Sequence, residues 1–575
     1  MIDDAFTFMA IVKTLATFRA KDANLRHRES FYWQRFNSKL DPSEMILSDV
    51  AQYLPPRREW ARPNRAQRHS SRRPSVDISR DSIYRKVQGV YHSGRILECE
   101  WGRKLSDLVK RIQDRVATGD FKFERPELML RIKAVGEGCQ PKYRCISAYR
   151  NIEDRVILSI ANKYLSAKLD GVFSENSHAF RIGKKSPVAR AIRKIIDFRN
   201  NHAQMPLYVS ECDIVKFFDT IEHGVVLQVC DKFMPGDKAN LLVTAFLESY
   251  DVRDIMNSGF WDKLSKTGDW DFLAKLPTDR RIGLPQGGAL SGLLSNLVLD
   301  KVDKAIGALG QRDFLYARYC DDIIMLGSSE EACKKALDKC SAILEKLNLR
   351  IYPAKSVVSY CAEYYVAKSK GPFLWGNPSV IPCAIPWVSF LGYSIRYDGS
   401  TRLRKETLLA HAKSIREECE SFLLDAKRFG FRKPKNKSQA VEDFLCRLMA
   451  KGTGRINVEP IKGLGRCWLS VFRFVGESKI GLKQMRYLDY IRSSAIARLL
   501  RQLNVKRGKT GTTSADDAKA FLYFGKPFSY YGSCERLKRK SIVGDRDFTL
   551  CEEEGNVSDE DFETSGWERA SGYFG

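Results

Sequence analysis

The sequence predicts an α+β protein whose C-terminal third is helical. Three observations carry that expectation. Residues 206–395 alternate short β-prone apolar runs with helical stretches. The segment NIEDRVILSIANKYLSAKL sets Val156, Ile157, Ile160 and Leu165 at a spacing close to 3.6. From about residue 401 onward the chain reads as helices, as in TLLAHAKSIREECESFLLDAK and LKQMRYLDYIRSSAIARLLRQL. At 575 residues, 43% apolar and 11% aromatic, the chain can bury a large core. Roughly three or four globular units are expected at about 100–200 residues each.

Lysine and arginine number 96 against 70 acidic residues, a formal net charge of +26, and the pI is near 9.4. Such a chain expects a polyanionic partner, nucleic acid before membrane. A charged fraction of 29% is ordinary for a globular protein. No run approaches 18 uninterrupted apolar residues, which argues against a spanning helix. MIDDAFTFMAIVKTLATF opens with two aspartates and is broken by Lys13, the wrong charge order for a signal peptide. The 15 cysteines are scattered with no CxxC pair, so zinc-ribbon and redox motifs are excluded and reduced thiols in a cytoplasmic protein are expected.

Taken in order, residues 1–130 look mixed and partly irregular. Between Pro55 and Pro74, Arg57, Arg58, Arg62, Arg65, Arg68, Arg72 and Arg73 cluster around Trp60, with Glu59 the one opposing charge. Arginines, an aromatic and prolines together suit either a solvated loop or a phosphate-binding arm. A second basic patch, Lys427, Arg428, Arg432, Lys433, Lys435 and Lys437, sits between helical segments as an exposed loop. The end, Glu552 to Glu563, holds seven acidic residues and reads as a flexible tail.

Three blocks carry chemistry. In LYVSECDIVKFFDTIEH, a β-prone run from Leu207 to Val209 leads to Asp213, and the chain then turns through Lys216-Phe217-Phe218-Asp219. A carboxylate at the end of a buried strand can hold a hard cation, or simply cap the helix that follows. In RRIGLPQGGALSGLLSNLVLD, Pro285 and Gly287–Gly288 impose a tight turn before an apolar helix, which lets backbone amides approach a flat or anionic ligand. In DFLYARYCDDIIML, runs from Phe314 to Tyr319 and Ile323 to Leu326 flank Cys320-Asp321-Asp322, a hairpin with an acidic turn. Adjacent carboxylates repel, so one resists ionising unless a cation or donor sits nearby.

In this order the blocks resemble the palm of a bacterial reverse transcriptase of the group II intron, retron and abortive-infection lineage. Asp213 to Asp219 is similar to the family's first metal motif, Leu284 to Gly288 to its template–nucleotide loop, and Tyr319 to Asp322 to its YxDD box. Ser177 to Arg181 resembles a fingers motif, Leu349 to Lys355 a motif with a lysine near the triphosphate, and Phe390-Leu391-Gly392-Tyr393 the primer grip. The resemblance spans roughly residues 140–395. It implies right-hand architecture: an N-terminal extension with a basic arm (1–130), fingers (131–205), palm with finger insertions (206–395), helical thumb and C-terminal region (396–550) and an acidic tail (551–575).

The resemblance further implies that Asp213, Asp321 and Asp322 are the catalytic carboxylates and, with the Ile214 carbonyl, hold two Mg²⁺ ions, Mn²⁺ being the alternative. Phe218 occupies the steric-gate position that selects deoxynucleotides, although the pair Phe217–Phe218 leaves open which ring faces the sugar. Arg181 and Lys355 are candidates for the triphosphate and Gln286 for the nucleotide loop. The C-terminal third lacks paired cysteines and has only His411, unlike many intron maturases, and no Val-Thr-Gly thumb signature of retron enzymes is found. The expectation is therefore a stand-alone, defence-associated enzyme: an RNA-directed DNA polymerase using deoxynucleoside triphosphates and a bound non-coding RNA against phage, with a partner protein or homo-oligomer allowed. Alternatives are an intron-type maturase, a template-independent or protein-guided DNA polymerase of the same fold, and a silent RNA-binding scaffold. An RNA-dependent RNA polymerase fits Phe218 and the YCDD box less well.

Overall fold

The computed structural model describes residues 2–32, 49–61, 75–134, 142–182, 186–203, 205–266, 270–274, 279–309, 313–357, 367–431, 436–454, 467–505, 523 and 525–532. The first three long helices are α1 (Phe8–Tyr32), α2 (Ser75–His92) and α3 (Glu100–Thr118). In α3, Leu105, Leu108, Val109, Ile112 and Val116 recur every three or four residues and are buried. The helix stops where Gly119 takes a left-handed conformation, φ 76°. An antiparallel ribbon follows, β1 (Glu127–Ala134) with β2 (Lys142–Ala148).

Helix α4 (Ile152–Leu169) is the one expected from the NIEDRVILSIANKYLSAKL pattern, with Val156, Ile157, Ile160 and Leu165 buried. The Asn151 side chain accepts the Glu153 and Asp154 amides and caps it. Arg115 donates to Asp154 at 3.0 Å and ties α3 to α4. The N-terminal helices are not a separate body. One buried apolar cluster runs from Ile2, Leu15 and Leu108 through Ile157 to Leu297 and Met325.

The next stretch builds the central sheet: α5 (Pro187–Asn201), β3 (Leu207–Asp213), α6 (His223–Phe233), α7 (Ala239–Glu248), α8 (Ser291–Gly307), β4 (Phe314–Tyr319), β5 (Asp322–Gly327), α9 (Glu330–Glu345), β6 (Ala354–Lys355) and β7 (Ser369–Trp375). The strand order is β4-β5-β3-β7-β6, antiparallel except for β6 with β7. Both faces are covered, and the period-2 alternation sorts side chains between them. Cys212, Ile323 and Met325 join the α8 and α9 residues Val302, Ile306, Ala336 and Leu337. Val209, Ile324 and Leu326 join Ile192, Ile195 and Ile196 of α5.

A three-stranded sheet, β8 (Trp387–Phe390), β9 (Tyr393–Arg396) and β10 (Thr401–Leu403), leads into α10 (Lys405–Phe429), α11 (Asn436–Gly452) and α12 (Lys479–Gln502). These helices enclose a second core of Phe422, Leu423, Val441, Leu445, Ile496 and Leu499. The α+β class with a helical C-terminal third is as expected. Among the described residues no helix is long and apolar enough to cross a membrane, and eleven cysteines are free thiols. The expected acidic tail lies outside the described residues.

Because α3 shares its core with the sheet-bearing region, Leu108→Ala is expected to destabilise the whole chain by about 2–5 kcal/mol. Urea unfolding followed at two probes, near-UV signal and Cys340 labelling, should shift together; a shift confined to an early partial transition would contradict the shared core.

Candidate active site

Strand β3 ends at Asp213, and its backbone geometry decides what the carboxylate faces. The Asp213 amide donates to Ser369 Oγ at 3.0 Å, and its carbonyl accepts from the Tyr352 amide at 3.0 Å. Both groups thus point toward β7 and the chain before β6. In register, Asp213 lies opposite Asp322 of β5. The pair therefore makes no mutual backbone hydrogen bonds, the arrangement in which facing side chains come closest. The Val215 amide donates to the Arg350 carbonyl at 2.8 Å, on the same side as Asp213. Alternation then turns the Ile214 carbonyl toward the β4–β5 hairpin.

That hairpin closes over two residues, Cys320 and Asp321, since Tyr319 pairs with Asp322. Cys320 has φ 61° at the first turn position, where two-residue hairpins prefer glycine. Its carbonyl is held by Arg318 Nη1 at 2.9 Å. The sharp turn brings Asp321 beside Asp322, and the thiol of Cys320 lies against the Asp321 carboxylate, with burial pushing that thiol up.

Like charges crowd this end of the sheet. Asp322 still reaches solvent, but its carboxyl is raised to about 7, and the largest cause is the close packing of protein around it. The charges of Asp321, then Asp213, then Glu211 contribute to that rise, and Arg404 opposes them. Glu211 is paired with Lys370 of β7, both largely buried. Among the described residues no three His, Cys, Asp or Glu side chains stand together as a ready cation cage. The donor set nevertheless suits a hard divalent cation: carboxylate oxygens and a peptide carbonyl at a place where one carboxyl resists ionising for want of positive charge.

Beyond Asp213, Lys216 takes φ 47° and lays its ammonium 3.6 Å from the centre of the Trp270 ring. The single helical turn Phe217–Thr220 then divides the two aromatics. Phe217 is 2% exposed and belongs to the core; Phe218 is only partly buried and packs at its margin. Of the two, Phe218 has the ring available to a ligand. The Phe218 carbonyl accepts the Leu284 amide at 2.7 Å, which stitches this turn to the Pro285–Gly288 loop.

The loop is fastened on every side. Gln286 Nε2 donates to buried Asp219 at 3.0 Å, and the Gln286 carbonyl accepts the Ser147 amide of β2 at 2.8 Å. A Cβ on Gly287, at φ 107°, would stand 2.9 Å from the Ser147 carbonyl oxygen, so only glycine fits there. Gln286 thus braces the loop through its side chain.

Other expected residues sit differently. Arg181 is 2% exposed at its side chain. Its five N–H groups go to both carboxylate oxygens and the carbonyl of Asp170 and to the carbonyls of Ser174 and Ser177, leaving no donor for a triphosphate. Lys355 is exposed on the two-residue edge strand β6, in register with Lys370. In the β8–β9 turn, Phe390 is 5% exposed and Tyr393 fully buried, its hydroxyl donating to Val471 at 2.7 Å. Leu391 (φ 49°) and Gly392 (φ 82°) form the turn itself and are partly buried. Arg57 and Arg58 are exposed, but Arg57 lies over Trp60 at 4.6 Å and Trp60 is buried, not a stacking platform. Arg62, Arg65, Arg68, Arg72 and Arg73 lie outside the described residues. Of the second patch, Lys427 and Arg428 end α10 and Lys437 lies in the first turn of α11; Arg432, Lys433 and Lys435 also lie outside the described residues.

Comparison with known proteins identifies the central region. Residues 136–395, rather less than half the chain, match the family model described as reverse transcriptase (RNA-dependent DNA polymerase). This chain carries a reverse transcriptase domain. It contains both carboxylate strands, the glycine loop and the β8–β9 corner, and its sheet and helices have the right-hand polymerase fold. The domain is similar to the putative COX1/OXI3 intron 1 protein of Saccharomyces cerevisiae, 23% identical over 274 residues, 47% of this chain and 26% of that protein. A shorter match, 36% identical over 77 residues, is to the retron Ec86 reverse transcriptase of Escherichia coli, covering 13% of this chain and 24% of that one. The chain thus spans about a quarter of either relative's length. Among solved structures, apo telomerase from Candida tropicalis aligns at TM-score 0.37 and 11% identity, over 82% of this chain and 76% of that one.

Sequence reasoning missed three partners at the site: Asp219 behind Gln286, Lys370 against Glu211, and Arg404, whose charge acts on Asp322. Asp219 carried a signal, a second aspartate six residues after Asp213; the other two lie far from the motifs in sequence.

With its folded pKa raised to about 7, Asp322 favours the fold when protonated, below about pH 4, the ordinary carboxylate range. That contribution is lost as pH rises through about 7. Without divalent ions, Asp322→Asn should melt higher than the wild type at pH 8 and alike near pH 4. Equal melting temperatures at pH 8 would remove the electrostatic crowding.

Proposed function

We propose that this chain is an RNA-directed DNA polymerase that joins deoxynucleotides by two-metal phosphoryl transfer. The observation that carries the proposal is the Asp213–Asp322 cross-strand pair beside the Cys320–Asp321 turn. Asp213, Asp321 and Asp322, with the Ile214 carbonyl, would hold two divalent ions, Mg²⁺ in the first instance. When bound, such ions supply charge neutralisation for the triphosphate and activation of the attacking 3′-hydroxyl.

The chain's own residues supply position. The Phe218 ring, at the core margin beside the carboxylate strand, would lie under the sugar and exclude a 2′-hydroxyl. The Gln286–Gly288 backbone, braced by Asp219 and Ser147, would form one wall for the incoming base and its template partner. Leu391 and Gly392 would contact the primer end, with Phe390 and Tyr393 anchoring that corner from the core. Lys355, exposed on its edge strand, is the remaining sequence candidate for the triphosphate; Arg181 serves to hold the 170–181 segment together. The proposed nucleic-acid arm begins at Arg57 and Arg58, and the net charge of +26 supports a polyanionic partner.

In biological terms we propose a bound non-coding RNA and a role in anti-phage defence in the cytoplasm. The support for this finer reading is the motif layout together with the lack, in the C-terminal third, of the paired cysteines and the Val-Thr-Gly signature noted above.

Protein purified with its bound nucleic acid, given Mg²⁺ and labelled deoxynucleotides, should make DNA that matches the retained RNA. The Asp321→Ala/Asp322→Ala double variant should make none while keeping its fold. Undiminished synthesis by the variant would sink the mechanism, and product unrelated to the RNA would replace templated with untemplated synthesis. Phe218→Val should raise ribonucleotide incorporation relative to deoxynucleotide by tenfold or more; an unchanged ratio would remove Phe218 as the gate.

A further inference from the structure

The residue two places before Cys320 offers an inference beyond the motif residues. Arg318 is fully buried, and all five of its guanidinium N–H groups are used. Nε and Nη2 fork onto the two carboxylate oxygens of Asp303 on α8, at 2.7 and 2.5 Å. Nη2 also donates to Ser177 Oγ at 2.9 Å. Nη1 donates to Asn296 Oδ1 of α8 at 3.2 Å and to the Cys320 carbonyl at 2.9 Å.

The Arg318 backbone joins the same parts. Its amide donates to the Asn176 carbonyl and its carbonyl accepts the His178 amide, both at 2.9 Å. Around it, Tyr316 donates to Asp303 at 2.8 Å, and Asn296 donates to the Ala179 carbonyl at 2.8 Å. One planar cation therefore touches the 174–181 segment, the helix that follows the glycine loop, and the carboxylate turn.

Cys320 needs that anchor. It is a non-glycine residue at φ 61°, a conformation L-residues adopt at a cost. Rotating its peptide away would swing the Asp321 carboxylate and release Asp322 from its register with Asp213. A lysine could keep the charge opposite Asp303 but lacks the planar fork that reaches four partners at fixed angles.

We propose that Arg318 is a positioning residue: through the Cys320 carbonyl it sets the aspartate turn and couples that turn to the fingers segment and to α8. The inference rests on the polymerase reading for its activity arm, but not for its metal-binding arm.

The test compares wild type, Arg318→Lys, Cys320→Gly and the double variant. Steady-state deoxynucleotide incorporation is one readout; Mn²⁺ affinity, by the loss of its free spin-resonance signal, is the other, with Asp322→Asn as control. Arg318→Lys should lower kcat at least tenfold, change KM for the deoxynucleotide less than twofold, and weaken Mn²⁺ binding at least threefold. Adding Cys320→Gly should recover at least threefold of the lost kcat, since glycine holds positive φ without an anchor. If Arg318→Lys does not fold, Asn296→Ala, which spares the Asp303 pair, should weaken Mn²⁺ binding at least twofold. Wild-type values of kcat and Mn²⁺ affinity in the folded variant, or losses that track the unfolded fraction and ignore the glycine, would overturn the proposal. A wild type that binds Mn²⁺ yet incorporates nothing would overturn the polymerase reading, with the Mn²⁺ shift still supporting Arg318 if present and refuting it if absent. A wild type that binds no Mn²⁺ at the carboxylates would overturn both.

Discussion

The site depends on the register between β3 and β5. A strand pairing moved by one residue would send every side chain to the other face, and Asp213 would no longer face Asp322. Hydrophobic patterning holds the register. Val209, Ile324 and Leu326 face the α5 side, while Cys212, Ile323 and Met325 face α8 and α9. Burial of both faces leaves the pairing one low-energy choice, so the carboxylates are placed by the core beside them.

Bringing those carboxylates together opposes folding, and the surrounding structure is built to tolerate it. Lys370 neutralises Glu211 within the sheet, leaving three aspartates at its open end. Arg404, just before α10, opposes the charge on Asp322 and its amide donates to the Gly392 carbonyl at 2.9 Å. The β8–β9 corner and the carboxylate end are thereby joined through one residue. Behind the hairpin, the Arg318–Asp303 pair is fully buried and fully hydrogen-bonded, the condition under which a buried ion pair fixes geometry without leaving an orphaned charge.

Several residues that look like ligand contacts in sequence turn out to be braces. Arg181 spends every donor on the end of α4 and its own loop, Gln286 holds Asp219, and Tyr393 is anchored to Val471. A motif residue can serve a site by positioning backbone as readily as by touching substrate. The backbone corners beside two of these braces stay at least partly exposed: Gly287–Gly288 and Leu391–Gly392.

The local parts of this protein were legible in the sequence. Helix periodicity located α4, α10 and α12, and the alternating runs located β3, β4 and β5, because each pattern reflects a single element's contact with its core. The acidic hairpin turn and the glycine loop were likewise visible, since turns are set by a few adjacent residues. Which of Phe217 and Phe218 would be core was not, because both fit the same short helical turn and burial depends on what packs there. Nor were the partners of Gln286, Glu211 and Arg318, which lie up to 159 residues away along the chain. Long-range pairing of that kind is decided when strands and helices from distant segments meet, and only the tertiary structure records it.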